Sequence, residues 1–394
     1  MSQRFVRVSV SDIEIGSPLT ESIFNSGGDL LLRKGRMITT DRQQRILLKQ
    51  GYVDRVSAGS SFSRSNQNHD SYRPAATSSS RNRKEQDEDI FLLVSQWLNR
   101  LFQLFNLSQK EQNVDFSYQV LQLALDIQLQ CQRRSDTVLA ALQMDHDNHY
   151  GLIHALHCAV ICEVIAKGEH ITQLERVSMI AGALTHDFGI ISMQDALHQQ
   201  AEKPSDEQWE LIHQHPDKGE ALLREQGIDD PVWLALVRYH HERLDGSGYP
   251  DGVGSAQLSI PVRIMSIADT YTAITRPTAF RKESTVNSAL RVLYTEGDQK
   301  LDRHLVERFI KRVGIYPCGS LVRLSNREVA VVVEQNKEMK LPKVTALVAA
   351  NSHPLAKPQP RDLETDGLQI VGVEPYGKYR SLQPAMETLW GNYL

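Results

Sequence analysis

Two stretches, LIHALHCAVICEVIAK at 152–167 and LERVSMIAGALTHDFG at 174–189, set the architecture of this chain. Both repeat apolar residues at three- and four-residue spacing, the period of an α-helix turned towards a core. The same period runs outward in both directions. Upstream it holds in DIFLLVSQWLNRLFQLF (89–105) and FSYQVLQLALDIQLQCQ (116–132). Downstream it continues through DEQWELIHQHPDKGEALLREQG (206–227), DPVWLALVRYHHE (230–242) and VRIMSIADTYTAIT (262–275). The spacing therefore predicts a mainly α protein, with one large helical domain as its body.

The flanks read differently. Residues 1–57 alternate apolar and polar positions in RFVRVSV and carry a second strand-like run, DLLLRKG, a helix-like TTDRQQRILLKQG and a closing VDRVSAG. A small N-terminal α/β module is the expectation there. Residues 58–89 are rich in Ser, Asn and Arg and nearly free of aliphatic side chains, so a flexible linker is expected. GSLVRLSNREVAVVVEQN at 319–336 reads as a short C-terminal β-hairpin, which closes a domain spanning 90–345. The Pro- and Gly-rich residues 346–394 are expected to be a lightly structured tail.

Composition narrows the function classes. The 394 residues carry 44 basic and 48 acidic groups, a formal net charge of −4, which argues against a general DNA binder. Four cysteines without a CxxC pair suggest neither a disulfide framework nor a zinc ribbon. The absence of a secretory h-region and of any window near the ~18 apolar residues of a membrane span leads us to expect a cytoplasmic protein with no membrane span.

Histidine is the exception to this average picture. Of 14 histidines, eleven lie between residues 146 and 241. A lone histidine is most often a surface or satisfied core residue. Here several fall at defined points of the helical pattern. His186 and Asp187 close an apolar helix, and such a pair can ligate one metal or bridge two through the carboxylate. His240 and His241 are adjacent near a helix end, diverging by about 100° on a helix, so they suit two different ions. They run into DGSGYP, where Gly246 and Gly248 permit positive φ and Pro250 fixes the exit. His215 lies where Pro216 is expected to interrupt a helix. His154 shares an inward face with Ile161, and Asp269 lies in a helix rich in small residues. His154, His186, Asp187, His215, His240, His241 and Asp269 thus supply seven ligands, about what a two-metal centre with a bridging carboxylate needs. So many N and O donors favour iron or manganese over zinc.

HD at 186–187 followed by HHExxDGxGYP at 240–250 resembles the HD-GYP domain, a branch of the HD phosphohydrolases. The resemblance covers about residues 115–345 and includes HPDKG at 215–219 and SIPVRIMSIAD at 259–269. The first 57 residues look like the accessory domain that often precedes such domains. The resemblance implies an all-helical HD-type metal-binding fold. It also implies a phosphodiesterase that hydrolyses the bacterial second messenger cyclic di-GMP to pGpG, GMP or both. It assigns the seven residues above as ligands of two divalent ions, iron or manganese, with His186 and Asp187 at the catalytic centre. Gly248, Tyr249, Pro250 and Arg281 would meet substrate. A signalling-protein contact at the GYP loop and a homodimer also fit the resemblance. Three positions depart from the family pattern. Ile190 stands where the family has a lysine, Thr272 where it has an acid, and Tyr150 where three-metal members have a glutamate. Tyr150 favours a two-metal centre, while Ile190 and Thr272 make a catalytically weak or inactive domain that binds nucleotide or a partner protein the alternative expectation.

Overall fold

A computed structural model describes residues 5–9, 12–14, 19–24, 30–32, 34, 44, 47–48, 51–54, 89–110, 115–146, 148–276, 286–297, 299–335 and 341–391. The chain divides into two units, residues 1–96 and residues 97–393. In the first, β1 (Phe5–Arg7), β2 (Ile23–Phe24), β3 (Leu30–Leu32) and β4 (Tyr52–Asp54) pair antiparallel in the order β1-β4-β2-β3. Val8, Ile13, Leu19, Ile23, Leu47 and Val53 form its core. Most of the helix expected over 39–51, and all of the expected linker except Asp89, lie outside the described residues.

The second unit is helical through its first two thirds. α1 (Ile90–Ser108) leads into it, followed by α2 (Phe116–Gln143), α3 (Tyr150–Ala166), α4 (Gln173–Thr185) and α5 (Ile191–Gln199). Then come α6 (Asp206–Glu225), α7 (Pro231–Tyr239), α8 (Ile260–Thr275), α9 (Val286–Glu296) and α10 (Arg303–Val313). α3 is the axis of this unit. Every residue from Gly151 to Ala166 is buried, and α2, α4 and α8 pack around it. A helix that is apolar all round has no solvent face, so burial is the only way to shelter it from water. Its one buried carboxylate, Glu163, is matched by Arg176 Nε at 3.0 Å. No described helix is long and apolar enough to cross a membrane.

Helix ends are set by local chemistry. The Thr172 hydroxyl accepts from the Glu175 amide to start α4, and Asp230 accepts from the Val232 and Trp233 amides to start α7, with Pro231 at its first position. These starts matter because the opposite ends of α4 and α7 deliver His186–Asp187 and His240–His241.

Two expectations are corrected. α6 does not stop at Pro216 but runs unbroken from Asp206 to Glu225. The C-terminal region is also not a hairpin followed by a loose tail. β5 (Leu321–Leu324), β6 (Val329–Glu334), β7 (Lys343–Val348), β8 (Pro354–Arg361) and β9 (Ile370–Glu374) form a five-stranded antiparallel sheet ordered β8-β7-β6-β5-β9. A 3₁₀ turn (Tyr376–Leu382) and α11 (Gln383–Gly391) follow, and Trp390 Nε1 donates to the Val333 carbonyl. The misreading has a physical source. β8 carries Pro354, Pro358 and Pro360 and lies at the edge of the sheet, the place where prolines are tolerated because an outward N–H needs no ladder partner.

Candidate functional site

Five elements converge on one buried cluster. α3 contributes His154, the residues just past α4 contribute His186 and Asp187, and α6 contributes His215. The end of α7 contributes His240 and His241, and α8 contributes Asp269. Asp187 lies at the middle. Its Oδ2 is 3.1 Å from His186 Nε2 and 3.7 Å from His154 Nε2, while its Oδ1 is 3.3 Å from His215 Nε2 and 3.9 Å from His240 Nε2. Asp269 lies to one side, with Oδ1 3.0 Å from His154 Nε2 and Oδ2 3.6 Å from His241 Nδ1. The adjacent histidines thus face different neighbours: His240 joins the Asp187–His215 side and His241 the Asp269 side.

Charge and proton placement follow from these contacts. Burial opposes ionisation of Asp187, but His186 and His215 outweigh it and hold the carboxyl well below the usual carboxylate range. Asp269 is likewise pulled down, against burial, by His154 and His241. Burial keeps His240 neutral, its pKa well below the imidazole range, and brings His241 down to about 3. His186, His215 and His240 each place Nδ1 against a helix carbonyl, those of Ala183 (2.8 Å), Ile212 (2.5 Å) and Val237 (2.8 Å). A carbonyl can only accept, so Nδ1 carries the proton and Nε2 of a neutral ring is a bare lone pair. The Nε2 atoms of His215 and His240 lie 3.1 Å apart. Two lone pairs aimed at each other at that distance repel unless a cation lies between them. His186 Nε2 is also buried with no hydrogen-bond partner. Three overlapping groups have their donor atoms within 4.8 Å of one another: His154, Cys158, His186 and Asp269; His215, His240 and His241; and His186, Asp187 and His240. The donor set therefore fits metal ions, with Asp187 placed to serve both sides.

The loop after α7 is held by a residue whose role sequence reasoning missed. The buried Glu242 carboxylate accepts from the amides of Asp251 (2.8 Å), Gly252 (2.9 Å) and Val253 (3.1 Å), pinning the far side of the loop. Gly246 does adopt positive φ, at 75°. Gly248 is needed for a different reason: a Cβ there would lie 2.4 Å from the Glu242 Cα and 2.5 Å from the His241 carbonyl. The loop presses Tyr249 onto His241, with ring centroids 4.6 Å apart and planes at 29°, while the His213 ring lies 4.4 Å from that of Tyr249 between centroids, tilted by 42°. Tyr249 and Pro250 border a cavity of about 600 Å³ that Trp209 and His213 also line. Arg281 lies outside the described residues.

Other neighbours came only with the fold. Gln194 donates to Asp187 Oδ2. Cys158, one turn along α3 from His154, places its sulfur 3.8 Å from His154 Nε2 and 3.1 Å from the Thr272 hydroxyl. Tyr150 is a packing partner, its ring stacked on His198 at 4.0 Å and on His154 at 5.5 Å. Ile190 is buried, and the Thr272 hydroxyl is spent on the Ala268 carbonyl at 2.8 Å. No charged side chain therefore stands at either of these two positions.

The chain is similar to several known proteins. Residues 132–305 match the family model described as HD domain. Cyclic di-GMP phosphodiesterase PA4108 of Pseudomonas aeruginosa is 29% identical over 296 residues, 74% of this chain and 71% of that protein. Cyclic di-GMP phosphodiesterase PdeB of Borreliella burgdorferi is 24% identical over 186 residues, 47% of this chain and 49% of that protein. Among solved structures, the HDG"Y"P protein Bd1817 from Bdellovibrio bacteriovorus shares the fold with a TM-score of 0.51 at 17% identity, covering 77% of this chain and 98% of that chain.

Proposed function

Because the chain belongs to the HD-GYP family of HD domain proteins, we propose that it is a metal-dependent phosphodiesterase that hydrolyses cyclic di-GMP to pGpG, GMP or both. The observation that carries the reading is the convergence of five imidazoles and two ionised carboxylates on one buried point, with the facing Nε2 atoms of His215 and His240 only 3.1 Å apart. His154, His186, Asp187, His215, His240, His241 and Asp269 would hold two divalent ions, iron or manganese, with His186 and Asp187 at the catalytic centre. When bound, such ions supply Lewis-acid activation of water and neutralise charge on a phosphodiester.

The chain's own residues do the rest. Asp187 stays ionised at the centre of the cluster, with a nitrogen of four imidazoles within 3.9 Å of its oxygens. Burial pushes the Tyr249 phenol up, so it remains a neutral donor beside the cluster. The rings of Tyr249, His213 and Trp209 offer faces on which a purine can stack. Arg243, whose charge reaches both His241 and Tyr249, is a described cation able to meet phosphate, in addition to Arg281. The proposal includes a signalling-protein contact at the GYP loop, a homodimer and a cytoplasmic location.

A second reading has a specific observation behind it. Ile190 and Thr272 put no charge where the family resemblance sets a lysine and an acid, which favours a domain that binds nucleotide or a partner with little turnover. The test is cyclic di-GMP turnover by protein loaded with Mn²⁺ or Fe²⁺, with products separated by chromatography. Release of pGpG or GMP supports the enzyme. Retained metal and bound, intact cyclic di-GMP supports the binding module. Ile190→Lys raising the rate would identify a weakened catalyst.

A further inference from the structure

His186, His215 and His240 orient their rings in the same way, each giving Nδ1–H to the carbonyl three residues earlier. For His186 and His240 the acceptor comes with the position. Both cap a helix C-terminus, where the last turn's carbonyls have run out of backbone donors. His215 has no such excuse. It lies in the middle of α6, where each carbonyl is ordinarily taken by the amide four residues on. The amide owed to the Ile212 carbonyl is that of residue 216, and residue 216 is a proline. A proline has no N–H to give.

We infer that Pro216 is a positioning residue for His215: by leaving the Ile212 carbonyl without its helical donor, it provides the acceptor that fixes the ring in the Nδ1–H form. The Nε2 lone pair is thereby fixed towards Asp187 Oδ1 at 3.3 Å and His240 Nε2 at 3.1 Å. The residue thus exchanges one helix hydrogen bond for a directed ligand in mid-helix, where a cap is not available. His215 is buried, so its ring turns to the protein and not to water for a partner. The inference deepens the reading of His215 as a metal ligand and rests on it. Groups that hold the distal nitrogen of a ligating histidine commonly tune metal affinity by about 10–100-fold.

The test compares wild type with Pro216→Ala, which restores a competing amide while keeping a small apolar side chain. Nitrogen-15 NMR of histidine in the metal-free protein should show His215 as the Nδ1–H tautomer in wild type. In Pro216→Ala the Nε2–H form should gain population and Mn²⁺ affinity should fall about tenfold, the lower end of that range. The melting temperature of the metal-free variant should stay level or rise, since a helix-interior proline is removed. A purely structural role for Pro216 predicts the opposite pairing: a lower melting temperature with tautomer and affinity unchanged. That result, or an Nε2–H His215 in the metal-free wild type, overturns the inference. The wild-type tautomer needs no variant to fold. Failure of wild type to bind Mn²⁺ would instead overturn the metal-ligand reading, while the tautomer still decides what Pro216 does.

Discussion

Asp187 has four imidazole nitrogens within 3.9 Å of its two oxygens. Asp187→Ala and His186→Ala should each lose metal and abolish turnover while far-UV circular dichroism stays near wild type, because the helices on either side keep their own cores. Global unfolding of either variant would mean that the pair is chiefly structural. Glu242 makes a different prediction. Its carboxylate accepts from three backbone amides, and replacing it by Ala removes the one side chain that ties them together. Glu242→Ala should keep its metal yet raise the KM for cyclic di-GMP several-fold, as metal analysis and steady-state rates would reveal. Loss of metal with unchanged KM would count against a loop-anchoring role. At this scale the sequence made the proposed ligands legible, since HD and HHExxDGxGYP are local patterns. It hid Gln194, whose proximity to Asp187 exists only once α5 is folded back, and the contact of Cys158 with Thr272, which exists only once α3 is packed on α8.

The elements are placed by close backbone contacts that polar patterning does not announce. Gly189, immediately after the HD pair's Phe188, lets α6 approach so closely that a Cβ would lie 2.2 Å from the His215 carbonyl. Gly189→Ala should force α6 away from the corner and weaken Mn²⁺ binding by tenfold or more, about 1.4 kcal/mol at minimum, measurable by calorimetry. Unchanged affinity would show that α6 can shift without moving His215. The buried Arg276, just past α8, donates to the Leu142 and Asp145 carbonyls at 2.9 and 2.7 Å and so ties α8 to the end of α2. Arg276→Ala should cost about 2–5 kcal/mol in chemical denaturation through two orphaned carbonyls and a lost side chain. The helical body was readable because α3 and α4 are long and strongly periodic. The C-terminal sheet was not, because its edge strand is written in prolines and β9 carries Gly372 in its middle, so neither shows clean alternation.

Taken as a whole, the molecule should be acid-sensitive in its metal-free form. Burial, with Arg276 adding to it, brings His146 down to about 3 and holds His157 well below the imidazole range; burial does the same for His240 and, to about 3, for His241. His186 alone moves the other way: burial opposes the charged form, but Asp187 more than offsets it. The unfolded chain protonates all of these near 6.5, as free imidazoles do. Between pH 6.5 and about 3 the unfolded state therefore binds more protons than the folded one, and stability rises with pH across that window. The urea midpoint after chelation should be lower at pH 5 than at pH 7.5; an equal or higher midpoint at pH 5 would show that these rings are not buried in the neutral form.

Metal stoichiometry is the most direct test of the proposed centre. Elemental analysis of protein loaded anaerobically with Mn²⁺ or Fe²⁺ and desalted should give two ions per chain, falling to one or none in Asp187→Ala, the carboxylate placed to serve both sides of the cluster. A wild-type chain that retains no metal, or an Asp187→Ala chain that retains as much as wild type, would contradict it.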